Sequence, residues 1–188
     1  MATQKNNVVT HGLSGKIGDL LVFRQRSGQT VVSKVPEQTK KTGTEKQTAH
    51  RKRFQQAIIY ARAAIEQPET GEQYKQAAKK QRGVTALNVA VADFFEAPNI
   101  EKVNLTSYTG KAGDKIEVQV SDDFAVKTVQ VQILNADGTL VENGEAEQNG
   151  SVLWVYTATQ NNENLDGDKI IVSVTDLPGN ITQEENSL

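Results

Sequence analysis

The sequence predicts an α+β chain in two parts. A β-hairpin with about three α-helices occupies residues 1–98, and an all-β, immunoglobulin-like sandwich occupies residues 99–188. Three observations carry this reading. Apolar spacing switches from a helical to a strand period near Asn99. The charge switches with it: residues 1–98 hold 16 Lys and Arg against 8 Asp and Glu, whereas residues 99–188 hold 5 against 15. Beyond Asn99, turn residues recur about every 8–14 positions.

Taken in order, the polar stretch Met1–Asn7 has no apolar run after its lysine, so no secretory leader is expected. Gly12, Gly15 and Gly18 follow at three-residue spacing, without helical or strand periodicity. They predict turns with φ > 0 or close backbone approach. Residues 20–36 alternate around Ser27-Gly28, with Leu21 and Phe23 on one face and Val22 and Arg24 on the other. This is the pattern of a hairpin, stopped by Pro36. A lone hairpin is marginal in water and needs its own helices or a neighbouring chain to pack on.

Residues 37–43 read as a linker. Thr44 with Gln47, or Thr42 with Glu45, makes a capping box. Phe54, Ala57, Ile58, Ala61 and Ile65 then recur at helical spacing, so a first helix runs from about residue 44 to 66. Gln67-Pro68 ends it. Thr70 with Gln73 caps a short second helix through Tyr74, Ala77 and Ala78, which stops at Arg82-Gly83. Thr85 caps a third, whose apolar face is Leu87, Ala90, Val91, Phe94 and Phe95. Period-two runs follow around Val103, Val118, Val131, Val141, Trp154 and Val172, with Ile181 opening a last short strand. About seven strands separated by Asp-Gly, Asn-Gly and Pro-Gly turns argue for the sandwich, with Trp154 in its core.

The composition excludes several chemistries. With no cysteine there is no disulfide, thiolate metal site or thiol nucleophile. No run approaches 18 apolar residues, so no membrane insertion is expected. The chain is expected to be cytoplasmic at synthesis, with a virion or an extracellular assembly as its possible destination. Gly12-Leu-Ser-Gly15-Lys16 is not a phosphate loop: only two residues separate the glycines, and Ile17 follows the lysine where Ser or Thr would bind magnesium. His11 and His50 lack an acid or nucleophile at a recognisable spacing. No catalytic residues, cofactor or small-molecule substrate are evident, and the chain reads as a non-enzyme. Calcium is the one ion with a foothold, at the loop carboxylates Asp122, Asp123, Asp137, Asp166, Asp168 and Asp176, although no EF-hand spacing is present.

The strongest chemical signal is basic. Residues 40–53 carry Lys40, Lys41, Lys46, Arg51, Lys52 and Arg53 against Glu45 alone, with Arg24, Arg26 and Lys34 on the hairpin. Such a run is a solvated helix face, a docking surface for an acidic protein patch, or a phosphate-backbone contact.

Gly12-Leu-Ser-Gly15-Lys-Ile-Gly18, the hairpin ending at Pro36, and Thr44-Glu-Lys-Gln47 through Arg51-Lys-Arg53-Phe54 resemble a family of uncharacterised Bacteroidota proteins over residues 10–65. That family brings no activity with it. Residues 100–180, with Val172-Ser-Val-Thr-Asp176-Leu-Pro-Gly179-Asn180, separately resemble bacterial immunoglobulin-like modules, which implies adhesion, display or assembly. The expectation is therefore a self-assembling or particle-docked subunit of a filament, virion or secretion-type assembly. Its interface candidates are Gly12, Gly15, Lys16 and Gly18, then Phe23, Arg24 and Arg26, then Lys46, Arg51, Lys52 and Arg53. Nucleic-acid binding through residues 40–53 is the alternative. An adhesion or carbohydrate module is a third reading, and it needs Trp154 or Tyr108 exposed.

Overall fold

The computed structural model describes residues 2–4, 8–26, 28–35 and 43–188. Among these residues the chain is α+β, with three helices and three antiparallel four-stranded sheets. Two compact units divide at Ala90/Val91, within the third helix and ahead of the compositional switch at Asn99. Lys40, Lys41, Ser27, Pro36 and the alternative cap Thr42 lie outside the described residues.

In the first unit the expected hairpin forms from β3 (Leu21–Arg26) and β4 (Gln29–Lys34), with Arg26 opposite Gln29 across a two-residue turn. Gly28 has φ 75° there, a conformation that favours glycine. The hairpin is not alone, which corrects the sequence reading. β1 (Ala2–Gln4), from the polar N-terminal stretch, pairs with β4, and β2 (Gly15–Ile17), from the glycine segment, pairs with β3. The order is β1-β4-β3-β2. Main-chain pairing, not side-chain alternation, makes these two strands.

α1 (Glu45–Glu66) starts at Thr44, whose hydroxyl accepts from the Gln47 N–H while the Gln47 side chain accepts from the Thr44 N–H. α2 (Pro68–Lys79) begins two residues before the expected Thr70 cap. Pro68 has its φ pre-set for a first turn, and Gln67 ahead of it is extended, as a residue before proline must be. Ala57, Ala61 and Ala64 of α1 and Gly71, Tyr74 and Ala78 of α2 are buried. A Cβ on Gly71 would run into the Ile65 carbonyl, so only glycine allows this tight corner. The Tyr60 and Tyr74 hydroxyls share a hydrogen bond of 2.9 Å across the pair. α3 (Ala86–Phe95) is capped by Thr85, which exchanges hydrogen bonds with Asn88.

The second unit holds β5 (Asn99–Asn104), β6 (Lys115–Ser121), β7 (Val126–Leu134), β8 (Leu140–Glu145), β9 (Glu147–Gln148), β10 (Leu153–Thr157), β11 (Lys169–Asp176) and β12 (Ile181–Ser187). They form two sheets, β5-β6-β10-β9 and β12-β11-β7-β8. Both contribute to one core of Ile116, Val118, Val120, Val129, Val131, Ile133, Trp154, Tyr156, Ile170, Val172 and Val174. The alternation in β11, buried at every second residue from Ile170, is what a strand with one covered face produces. Residues 140–148 pass from one sheet to the other at Ala146, whose N–H bonds the Val129 carbonyl at 2.8 Å. Trp154 is 8% and Tyr108 5% exposed, so neither ring is available as a ligand platform.

Candidate interaction surfaces

The glycine segment and the hairpin faces follow from register. Lys16, Arg24 and Arg26 lie on one face with Val22 and Val31, because Lys16 pairs with Val22 and Arg24 with Val31. Gly15, Ile17, Leu21, Phe23, Thr30 and Val32 lie on the other. Gly12, Gly15 and Gly18 have φ of 77°, 114° and 55°, as the turn reading expects. The Gln25 amide donates to the Leu13 carbonyl and the Thr30 hydroxyl, both at 2.8 Å, and ties the glycine loop to the sheet. Lys16 reaches Asp19 at 2.6 Å, an exposed pair that contributes little to stability. Phe23 corrects the list of interface candidates: it is buried on the apolar face and is not displayed. Val8, Val9, Ile17 and Leu20 are displayed, at 92%, 81%, 57% and 73% exposure.

The basic helix start is exposed along its length. Every residue from Glu45 to Gln56 is exposed, whereas burial in α1 begins at Ala57. At about 100° per residue, Lys46, His50 and Arg53 continue the stripe that Ala57, Ala61 and Ala64 bury further along. Arg51 and Lys52 project to either side of that stripe. The four candidates therefore make this half of the helix cationic all round, with Lys46 and Arg53 alone on the packing stripe. Positive charge here sits at the positive end of the helix dipole, where cations are disfavoured. Within the first turn, Glu45 complements the dipole and Lys46 opposes it; Arg51, Lys52 and Arg53 lie beyond that turn.

In the second unit, Asp137, Asp168 and Asp176 are engaged in loop hydrogen bonds. Asp137 accepts from the Thr139 N–H and hydroxyl, Asp168 from the Ala136 N–H and the Asn162 amide, and Asp176 from the Gly179 and Asn180 N–H groups. Asp114, which the sequence did not single out, accepts from Thr109 and Lys111 N–H groups, and these bonds hold its carboxyl below the usual range. Burial pushes Asp122 up, and the Asp176 charge adds to the shift. Among the described residues, no three His, Cys, Asp or Glu side chains gather where they could hold a metal ion. No helix among them is long and apolar enough to cross a membrane.

Two shallow polar grooves lie on the outer sheet faces. One, of about 310 Å³, is lined by Lys115, Glu117, Glu147, Gln148, Asn149, Val155 and Thr157 on β6, β9 and β10. The other, of about 290 Å³, is lined by Gln130, Gln132, Asn143, Glu145 and Ser173 on β7, β8 and β11.

No family model matches the chain, and no curated protein matches it. Among solved structures it is similar to an engineered protein, at 16% identity and a TM-score of 0.35, over 49% of this chain and 18% of that one. It is also similar to a Bifidobacterium dentium β-glucuronidase complexed with coumarin-3-O-glucuronide, at 13% identity and a TM-score of 0.27, over 49% of this chain and 17% of the enzyme. The chain spans less than a fifth of the length of either, and likeness at this level says nothing of activity or partners.

Proposed function

We propose that this chain is a non-enzymatic structural subunit that self-associates, or docks on a larger particle, through the basic module of residues 1–98 while displaying an immunoglobulin-like domain. The observation that carries the reading is the exposed first half of α1. Twelve helical residues, Glu45 to Gln56, stand with no buried position. They are the first half of a 22-residue helix whose burial is confined to Ala57, Ala61 and Ala64 further along, so this half offers its whole circumference to a partner. Val8, Val9, Ile17 and Leu20 on the same unit add apolar surface of the kind that marks interaction sites. The opposite net charges of residues 1–98 and 99–188, +8 and −10, supply attraction between copies. Contacts between unlike surfaces are heterologous, giving rings where the rotation closes and open-ended filaments where it does not. Strand order supports the immunoglobulin-like reading of the second unit: β5-β6-β10-β9 and β12-β11-β7-β8 match an A-B-E-D sheet facing a G-F-C sheet with one added strand.

Light scattering and negative-stain imaging of the purified chain at about 20 mM and about 500 mM salt test this, since screening is slight at the first and nearly complete at the second. Ordered oligomers at low salt that shrink at high salt are expected. A monomer at both overturns self-association. Nucleic-acid binding is the second reading, favoured by Arg51 and Lys52 lying off the packing stripe. It predicts a salt slope of about one log unit per phosphate contacted.

A further inference from the structure

Resting on the self-association reading, we propose that the exposed start of α1 docks on a second copy at the outer face of the β5-β6-β10-β9 sheet. Lys46 and Arg53 would there meet Glu147 and Glu117. The two surfaces match in spacing as well as sign. Lys46 and Arg53 are seven residues apart on one helical face, about 10.5 Å along the axis. Glu117 and Glu147 both stand directly opposite Val155, one on β6 and one on β9. They are thus two strand spacings apart, about 9.6 Å, on the same sheet face. A helix laid across the strands along that row sets one cation over each carboxylate. His50, between them on the stripe, then faces Val155, and Phe54 at its edge lies along the half-buried Leu153 and Val155. Lys115 fixes the crossing direction. It sits two residues from Glu117 on β6 and repels a helix that runs along the strand instead of across it.

The other outer face does not offer this pattern. Its rows are Gln183, Ser173, Gln130, Glu145 and Glu185, Ile171, Gln132, Asn143, with one carboxylate each. Of those two, Glu185 is charge-paired with Lys169 at 2.7 Å, whereas Glu117 accepts only a neutral bond from the Asn104 amide at 2.9 Å and keeps its charge.

The test is a mixing experiment with the full chain. The Lys46→Gln/Arg53→Gln variant keeps an intact groove, and the Glu117→Gln/Glu147→Gln variant keeps an intact helix. None of the four side chains is buried in the structure, so both variants fold, which circular dichroism checks. At about 20 mM salt each variant alone is expected to lose at least about tenfold in self-affinity, within the range measured for close interfacial charge pairs. An equimolar mixture is expected to form a one-to-one dimer and stop there, because each partner has one working end. Control substitution Glu145→Gln is expected to leave wild-type association unchanged. If both variants still assemble like wild type, this docking geometry is overturned while self-association stands. If the mixture stays monomeric although wild type assembles, the pairing of these two surfaces is overturned. A wild-type chain that is monomeric at both salt concentrations overturns both proposals.

Discussion

Tyr156 shows how far burial changes a single group in this core. Burial first, and then the neighbouring Glu142 carboxylate, push its phenol up to about 12. Glu142 is itself 6% exposed and accepts from the Thr159 N–H and hydroxyl and from the Gln160 N–H. A folded-state value above the ordinary 10 means the unfolded chain loses this proton first. The stability linked to it is complete below pH 10 and is lost as pH rises toward 12. Alkaline melts should therefore steepen above pH 10, and Tyr156→Phe should flatten that dependence. Asp122 obeys the same sign at the acid end. Its raised carboxyl favours folding below the ordinary carboxylate range, and that contribution is lost as pH rises through its folded value. Asp122→Asn, which keeps an acceptor toward the nearby backbone N–H groups, should raise the thermal midpoint at pH 7 and leave it little changed at pH 3. A lower midpoint at pH 7 would count against this account. Gly110 combines φ 85° with a Cβ position that would strike the Asn162 carbonyl, so Gly110→Ala should cost at least about 1–3 kcal/mol in urea melts.

At the scale of the element, the reciprocal Thr44–Gln47 cap anchors a helix start whose residues are all exposed. Thr44→Ala should cost about 0.5–2 kcal/mol, read as faster amide exchange confined to the first turns of α1. This cap was legible in the sequence because it depends on two residues three apart. The β6, β7, β10 and β11 strands were legible for a similar reason: each buries alternate residues, and alternation survives in the sequence. β1, β2 and β9 were not. Ala2–Gln4 and Glu147–Gln148 are polar, and Gly15–Ile17 is too short to alternate. They are strands because an edge in register recruits them, which no local pattern records. The start of α2 was misread because Thr70 and Gln73 imitate a cap inside a helix that Pro68 had already begun.

At the scale of the molecule, the two units differ in what holds them. The first buries mostly alanines, Tyr74 and Phe23, whereas the second buries a continuous set of Val, Ile and aromatic side chains. On heating, helical ellipticity should fall before the fluorescence of Trp154, the sole tryptophan and a member of the second core. Coincident transitions would show that the units melt together. The basic run was visible in the sequence, but its partition was not. That Lys46 and Arg53 extend a buried stripe while Arg51 and Lys52 flank it becomes apparent only once Ala57, Ala61 and Ala64 are buried in the fold. Likewise, Glu117 and Glu147 are thirty residues apart in sequence and come to share a row only through Val155.

The strand order also fixes a timetable. In each sheet of the second unit the outer pairings join strands close in sequence, while the central ones, β6 with β10 and β7 with β11, join strands much farther apart. Val131 waits about forty residues for Val172. During synthesis, at roughly 5–20 residues per second, that is a delay of about 2–8 seconds in which the apolar faces of β6 and β7 emerge without their partners. Closing such distant pairs makes folding slow relative to helical domains. A chaperone that captures nascent apolar strands should therefore bind this chain between the emergence of β7 and that of β11, and release it once β11 clears the ribosome.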